Sequence, residues 1–232
     1  MNTKYLSLSA LLAAVYFVLS IAPIGFPIIG LSSARPIHIS EAIPLIYVEI
    51  FRLHIGLLAT LIGGIILSIY LVQPPFYLLN FIPATTSALI YGLIKENKPI
   101  YAYMIYLIML IIYYFYPVVG PAYLYPSHIW FHIIIFSTLI LSSKFWTKIN
   151  IFLQLLLATL SAQLSGTILF EIIYYPNFLN VETFKYIWLV TSYLYPIERV
   201  IIAIIATILI YPVSKLIKRY FGEYLDFIKA SL

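Results

Sequence analysis

An all-α, polytopic membrane helix bundle is the fold class this sequence predicts, and three observations carry the prediction. Of its 232 residues, 63% are hydrophobic and only 9% are charged, where soluble domains carry about 25%. Mean hydropathy is +1.04. The apolar residues fall into runs separated by Pro, Gly and charge, and the basic residues collect between alternate runs. No linker, repeat or low-complexity tract divides the chain, so residues 1–232 read as a single integral membrane domain. The sequence contains no Cys, which excludes disulfides, thiolate metal sites and cysteine nucleophiles.

A spanning helix needs about 20 apolar residues at 1.5 Å rise each. Eight stretches approach or meet that length: 5–22, 39–51, 54–72, 79–94, 100–116, 128–142, 150–173 and 196–214. The first has a long apolar run with no small-x-small site after it, so it reads as a membrane helix and not as a cleaved signal peptide. The second follows Arg35-Pro36 and contains Pro44, which places a kinked helix start there. The third holds the Gly63-Gly64 pair, and the fourth opens at Asn80 and Pro83. The seventh is long and apolar, and the eighth is bounded by Pro196. The second, fourth and sixth are too short to span comfortably, so they are expected to cross in part or to sit inside the bundle. The predicted architecture is therefore six core transmembrane helices with two additional short segments.

Basic residues orient such a bundle, because Lys and Arg collect in cytoplasmic loops. With eight crossings and the N-terminus inside, ten of the thirteen basic residues fall on the inner side and only Arg35 and Lys185 in outer loops. Arg199 lies within the last stretch. Both termini are thus expected to be cytoplasmic, and the chain is expected to be a multi-pass protein of the cell membrane. The net charge of +5 reads as topology, and no nucleic acid is expected as a partner.

Ionisable groups at bilayer depth are expensive unless paired or facing a wet cavity, so each is a functional candidate. In this topology Arg35, His38 and Glu41 fall at the outer end of the second stretch, and His128 and His132 at the outer end of the sixth. Glu171 ends the seventh, and Glu198 and Arg199 open the eighth. Asn80, Thr85 and Thr86 enter from the outer end of the fourth, with Gln163 and Ser165 nearer mid-membrane. These groups converge on one leaflet and predict a solute pocket that opens outward and is sealed inward, formed by Arg35, His38, Glu41, Asn80, His128, His132, Gln163, Glu171, Glu198 and Arg199. Tyr123, Tyr125 and Trp130 lie near its mouth, where they could stack on a planar ligand or belong to an interfacial aromatic belt.

The residue types narrow the chemistry. His128 and His132 share a helical face, but H-I-W-F-H lacks the Glu of a zinc-protease motif. With Glu171 they could hold a metal, although no metal site is the favoured reading. The single aspartate, Asp226, argues against metal-dependent membrane enzymes that need several, and no enzyme activity or cofactor is expected. No P-loop is present, so any ATP would be hydrolysed by another subunit. Embedded Glu and His would also suit a proton-coupled secondary transporter of a small polar solute. Glu41 itself fits two roles, a helix-start anion stabilised by the helix dipole or a ligand contact.

The segment Ile39-Ser40-Glu41-Ala42-Ile43-Pro44-Leu45, with Gly56-Leu57, Gly63-Gly64 and Pro83-Ala84-Thr85-Thr86-Ser87-Ala88 before Gly92, resembles the substrate-binding S components of energy-coupling factor transporters. It is most similar to the QueT family, proposed to import queuosine precursors. Ala10-Leu11-Leu12-Ala13-Ala14 resembles the small-residue motif by which S components dock, and small residues four apart permit close helix approach. The resemblance implies a substrate-capture subunit of an ATP-driven micronutrient importer. Its partners would be a coupling subunit, docked at Ala10 and Ala14, and two ATP-binding cassette ATPases. It further implies that a deazapurine solute would place two parallel hydrogen bonds on Glu41. Cobalt and nickel S components use a His after the initiator Met, where this chain has Asn2.

Overall fold

In the computed structural model, residues 3–22, 25–26, 37–72, 74–115, 126–145, 151–174 and 180–230 are described. They form an all-α bundle of seven helices: α1 (Thr3–Ile21), α2 (Ile43–Tyr70), α3 (Phe81–Lys95), α4 (Pro99–Phe115), α5 (Trp130–Phe145), α6 (Ile151–Tyr174) and α7 (Val181–Ala230). A short antiparallel ribbon, β1 (Gly25–Phe26) with β2 (Ile37–His38), lies between α1 and α2 and pairs Gly25 with His38. Five helices are long and apolar enough to cross a membrane, with Pro99–Phe115 and Trp130–Leu141 shorter. The chain is a multi-pass membrane protein.

Helix α2 merges the second and third sequence stretches but is not one rod. Arg52 has φ 72° and ψ 168°, a backbone region that is essentially Gly-only. Eight residues of straight helix cover about 12 Å, yet a Cβ placed on Gly56 would lie 2.7 Å from the Val48 backbone nitrogen. The helix therefore folds back on itself at Arg52, and Gly56 is required where the two arms touch. The first arm, residues 43–51, is about 14 Å long, half a hydrocarbon core, and buries Pro44, Leu45, Ile46, Tyr47 and Val48. The expectation of an incomplete second segment inside the bundle thus holds. The second arm, 53–70, is long enough to span.

Neighbouring helices pack through small residues. A Cβ on Gly63 would meet the Ala13 carbonyl at 2.7 Å, and one on Gly92 would meet Leu53. Hence α1 and α3 both lie close against the second arm, and Tyr47 of the first arm donates to the Leu12 carbonyl of α1 at 2.9 Å. Helix α3 stops at Glu96 because Asn97 takes φ 58°. Its N–H bonds the Ile94 carbonyl while the Lys98 N–H bonds that of Leu93, a Schellman ending that Pro99 follows at once. The main core joins α2 to α7 around Tyr91, Tyr106, Tyr113, Leu157 and Tyr195.

The largest departure from the sequence reading is α7. The eighth stretch was expected to begin near Pro196, with Glu198 and Arg199 at its outer end, but the helix starts at Val181 and carries Pro196 and Pro212 inside it. Asn180 caps it, accepting from the Thr183 N–H at 2.9 Å, as Asn does at helix starts. Arg199 is therefore eighteen residues, about 27 Å, into the helix.

Candidate functional site

The packing gives the bundle two distinct ends. Tyr5 and Leu8 of α1, Phe51 and Ile55 flanking the Arg52 turn, and Ile217 of α7 form one cluster, and Glu49 nearby meets Lys95. That end gathers Lys4, Arg52, Lys95 and Lys218. The other end is where Gly64 meets Phe81, and where Phe76 approaches Gly166.

A cavity of about 370 Å³ lies between α1, α2, α3, α6 and α7. Among the described residues, its charged lining consists of Glu41, Glu198 and Arg199, and its aromatic lining of Tyr16, Phe76, Phe170, Tyr174, Trp188 and Tyr195. Such a volume with few convergent polar groups suits a small metabolite. Glu41 reaches it because the 3₁₀ turn Ile39–Ala42 delivers residues 40 and 41 at the start of the first arm. Arg199 is 6% exposed, and its Nη1 donates to Glu41 Oε2 at 2.8 Å, while its Nη2 stands 4.0 Å from Glu198 Oε2. One guanidinium thus sits between two carboxylates. The pairing takes one oxygen of Glu41, which changes the picture of a carboxylate with both oxygens open to a ligand; Oε1 has no protein donor among the described residues.

Five of the ten candidate residues line this cavity: Glu41, Asn80, Gln163, Glu198 and Arg199. His128, His132 and Glu171 stand behind its wall instead. His128 stacks on Trp188 with ring centroids 4.5 Å apart, and His132 stacks on Tyr195 at 5.1 Å. His132 Nδ1 also meets the Tyr106 hydroxyl at 2.6 Å, and His128 Nε2 is 3.4 Å from the Thr167 hydroxyl. Glu171 accepts from the Trp188 indole at 3.1 Å. These three residues hold two of the aromatic side chains that line the cavity, Trp188 and Tyr195. Among the described residues, no three His, Asp or Glu side chains group as metal ligands. The His38 backbone lies in the ribbon, and Arg35, Tyr123 and Tyr125 fall outside the described residues.

Several sequence candidates turn elsewhere. Thr85 and Thr86 bond the carbonyls of Phe81 and Ile82 within their own helix, as hydroxyls in helices commonly do. Trp130 donates to the Ser192 carbonyl at 3.0 Å and is not part of the cavity lining. The aromatic lining that replaces it, Trp188 and Tyr195, was missed because residues 181–195 were not read as helix. Helical spacing offered the signal, since Trp188, Thr191, Tyr195, Glu198 and Ile202 recur at three and four residues and share one face, with Arg199 beside Glu198. On α1, Ala13 is buried against Gly63 whereas Ala10 and Ala14 are exposed.

Comparison with protein-family models, with curated proteins and with solved structures finds no match.

Proposed function

We propose that this chain is the substrate-capture subunit of an ATP-driven micronutrient importer, an S-component-like protein akin to the QueT family. The observation that carries the reading is the cavity at the start of a half-length helix, where Ser40 and Glu41 meet Arg199 and Glu198. Transport proteins often place solute sites at interrupted helices, where the helix start and its carboxylates are available deep in the membrane. The aromatic lining suits a flat solute such as a deazapurine, whose N–H groups would be accepted by Glu41 Oε1 and Glu198. The exposed small-residue face at Ala10 and Ala14 suits docking on a coupling subunit, since small residues allow close helix approach. Two partner ATPases would then supply the energy, because the sequence has no P-loop of its own.

The test is assembly and retention measured together. Purified from its native membrane, the protein should carry a small molecule identifiable by mass spectrometry. Replacing Ala10 and Ala14 by Leu should abolish association with a coupling subunit and leave that molecule bound. Loss of the molecule with assembly preserved would refute the assignment. A second reading, a proton-coupled secondary transporter, is favoured by the unequal numbers of carboxylates and cations in the cavity, since a proton could balance them. Solute uptake by vesicles containing this chain alone, driven by an imposed proton gradient, would select it.

A further inference from the structure

The cavity's charges do not balance. Among the described residues, its charged lining is Glu41, Glu198 and Arg199, so with all three ionised these carry one excess negative charge. Arg199 is committed to Glu41 at 2.8 Å, whereas its 4.0 Å approach to Glu198 is too long for a hydrogen bond. Glu198 is therefore the carboxylate held by the longer and weaker of the two ion pairs, and its side chain remains 22% exposed. A net charge in a low-dielectric interior is unfavourable, which makes a bound cation the natural complement of this site.

We infer, resting on the capture role above, that the solute is an organic monocation with a flat aromatic body, its charge placed at Glu198 and the free oxygen of Glu41. An anionic solute would face two carboxylates, and the guanidinium that could attract it already spends its Nη1 on Glu41. A neutral solute would leave the excess charge to be balanced by a proton. A divalent metal would need six or more oxygen ligands in the case of calcium, or a near-octahedral shell for magnesium, and this aromatic-lined site offers two carboxylates of which one is tied to Arg199. The rings of Phe170, Tyr174, Trp188 and Tyr195 suit the body of such a cation, both by apolar contact and by attraction of positive charge to an aromatic face. Arg199 serves as the fixed internal counter-ion that keeps the excess at a single charge, so that one positive charge on the solute completes the site.

Three probes with the same indole ring separate charge from shape: tryptamine, a cation; indole-3-acetamide, neutral; and indole-3-acetate, an anion. Calorimetric titration of the purified wild-type chain in detergent should give binding of tryptamine at least ten times tighter than of the amide, and no measurable binding of the acetate. Glu198→Gln should remove most of the tryptamine preference over the amide. Tighter binding of the acetate, equal affinities for all three, or no binding of any would overturn the inference. The wild-type ranking decides the matter by itself if Glu198→Gln fails to fold. The titration uses neither coupling subunit nor ATPase, so a charge preference that persists while assembly fails would refute the importer role and leave the solute class standing.

Discussion

Glutamates lie near both ends of the first arm of α2, Glu41 in the 3₁₀ turn just before it and Glu49 within it, and the two are treated very differently. Glu49, toward the Arg52 turn, is satisfied by protein on both oxygens: the Tyr91 hydroxyl donates to Oε2, and Lys95 Nζ to Oε1 at 2.9 Å. Glu41, eight residues earlier, has Arg199 on one oxygen and shares that guanidinium with a second carboxylate. One end is neutralised and closed; the other is in excess of negative charge and borders a cavity. A carboxylate in a membrane bundle is thus no sign of function by itself, and what distinguishes the two is whether the protein supplies enough donors.

The largest effect expected from breaking this contrast comes at its cation. Arg199→Met should leave Glu41 and Glu198 facing each other without a counter-charge, lowering stability by about 3 kcal/mol. That is the lower part of the usual range, because the Glu41 side chain is 36% exposed. Adding Glu41→Gln should restore much of the loss by removing one of the stranded charges. Chemical denaturation in detergent reads both values, and additive effects of the two substitutions would show that the pair is not coupled.

Glu49 should respond in the opposite sense, through stability and not through binding. Glu49→Ala removes the acceptor from a Tyr91 side chain that is fully buried, which should lower stability by about 1–3 kcal/mol. Loss of Lys95 contributes little, since its side chain is 37% exposed and exposed ion pairs are weak. Tryptamine affinity should be unchanged. If Glu49→Ala weakened binding as much as Glu198→Gln, the distinction between a structural and a solute-facing carboxylate would collapse.

Most of this bundle was legible in the sequence because its signal is hydropathy. Stretch 5–22 became Thr3–Ile21, 79–94 became Phe81–Lys95, 100–116 became Pro99–Phe115 and 150–173 became Ile151–Tyr174. The misreading of α7 has a physical origin. Residues 181–195 mix Glu182, Lys185 and Thr residues with aromatics, and Pro196 resembles a boundary, yet a proline inside a membrane helix is tolerated when neighbouring groups satisfy the freed carbonyl. The charged part of the lining followed from charge alone, since Glu41, Glu198 and Arg199 fall within or beside apolar stretches where ionisable groups are expensive. Which of them pair was not legible, because Glu41 and Arg199 are 158 residues apart and no local pattern links them. Nor did the sequence distinguish histidines that line the cavity from histidines that support Trp188 and Tyr195 from behind, a difference of one layer of side chains.

The smallest effect concerns the turn that allows the two ends of the first arm to differ. Arg52 adopts φ 72° and ψ 168°, and a side chain held there is disfavoured by about 1–3 kcal/mol relative to glycine. Arg52→Gly relieves that strain but gains freedom in the unfolded chain worth about 0.5–1 kcal/mol in the other direction. The net expectation is a rise in stability of about 1 kcal/mol, with solute affinity unchanged because Gly56 and Val48 still fix how the arms meet. Arg52 is exposed, so its charge has little part in this. Arg52→Ala separates the two contributions, because it removes the charge and keeps the strained Cβ; it should leave stability within about 0.5 kcal/mol of wild type. Equal stabilisation by Gly and Ala would assign the effect to charge and remove the evidence for a strained reversal. Destabilisation by Gly would mean that the Arg52 side chain, and not the close contact of Gly56 with Val48, holds the two arms together.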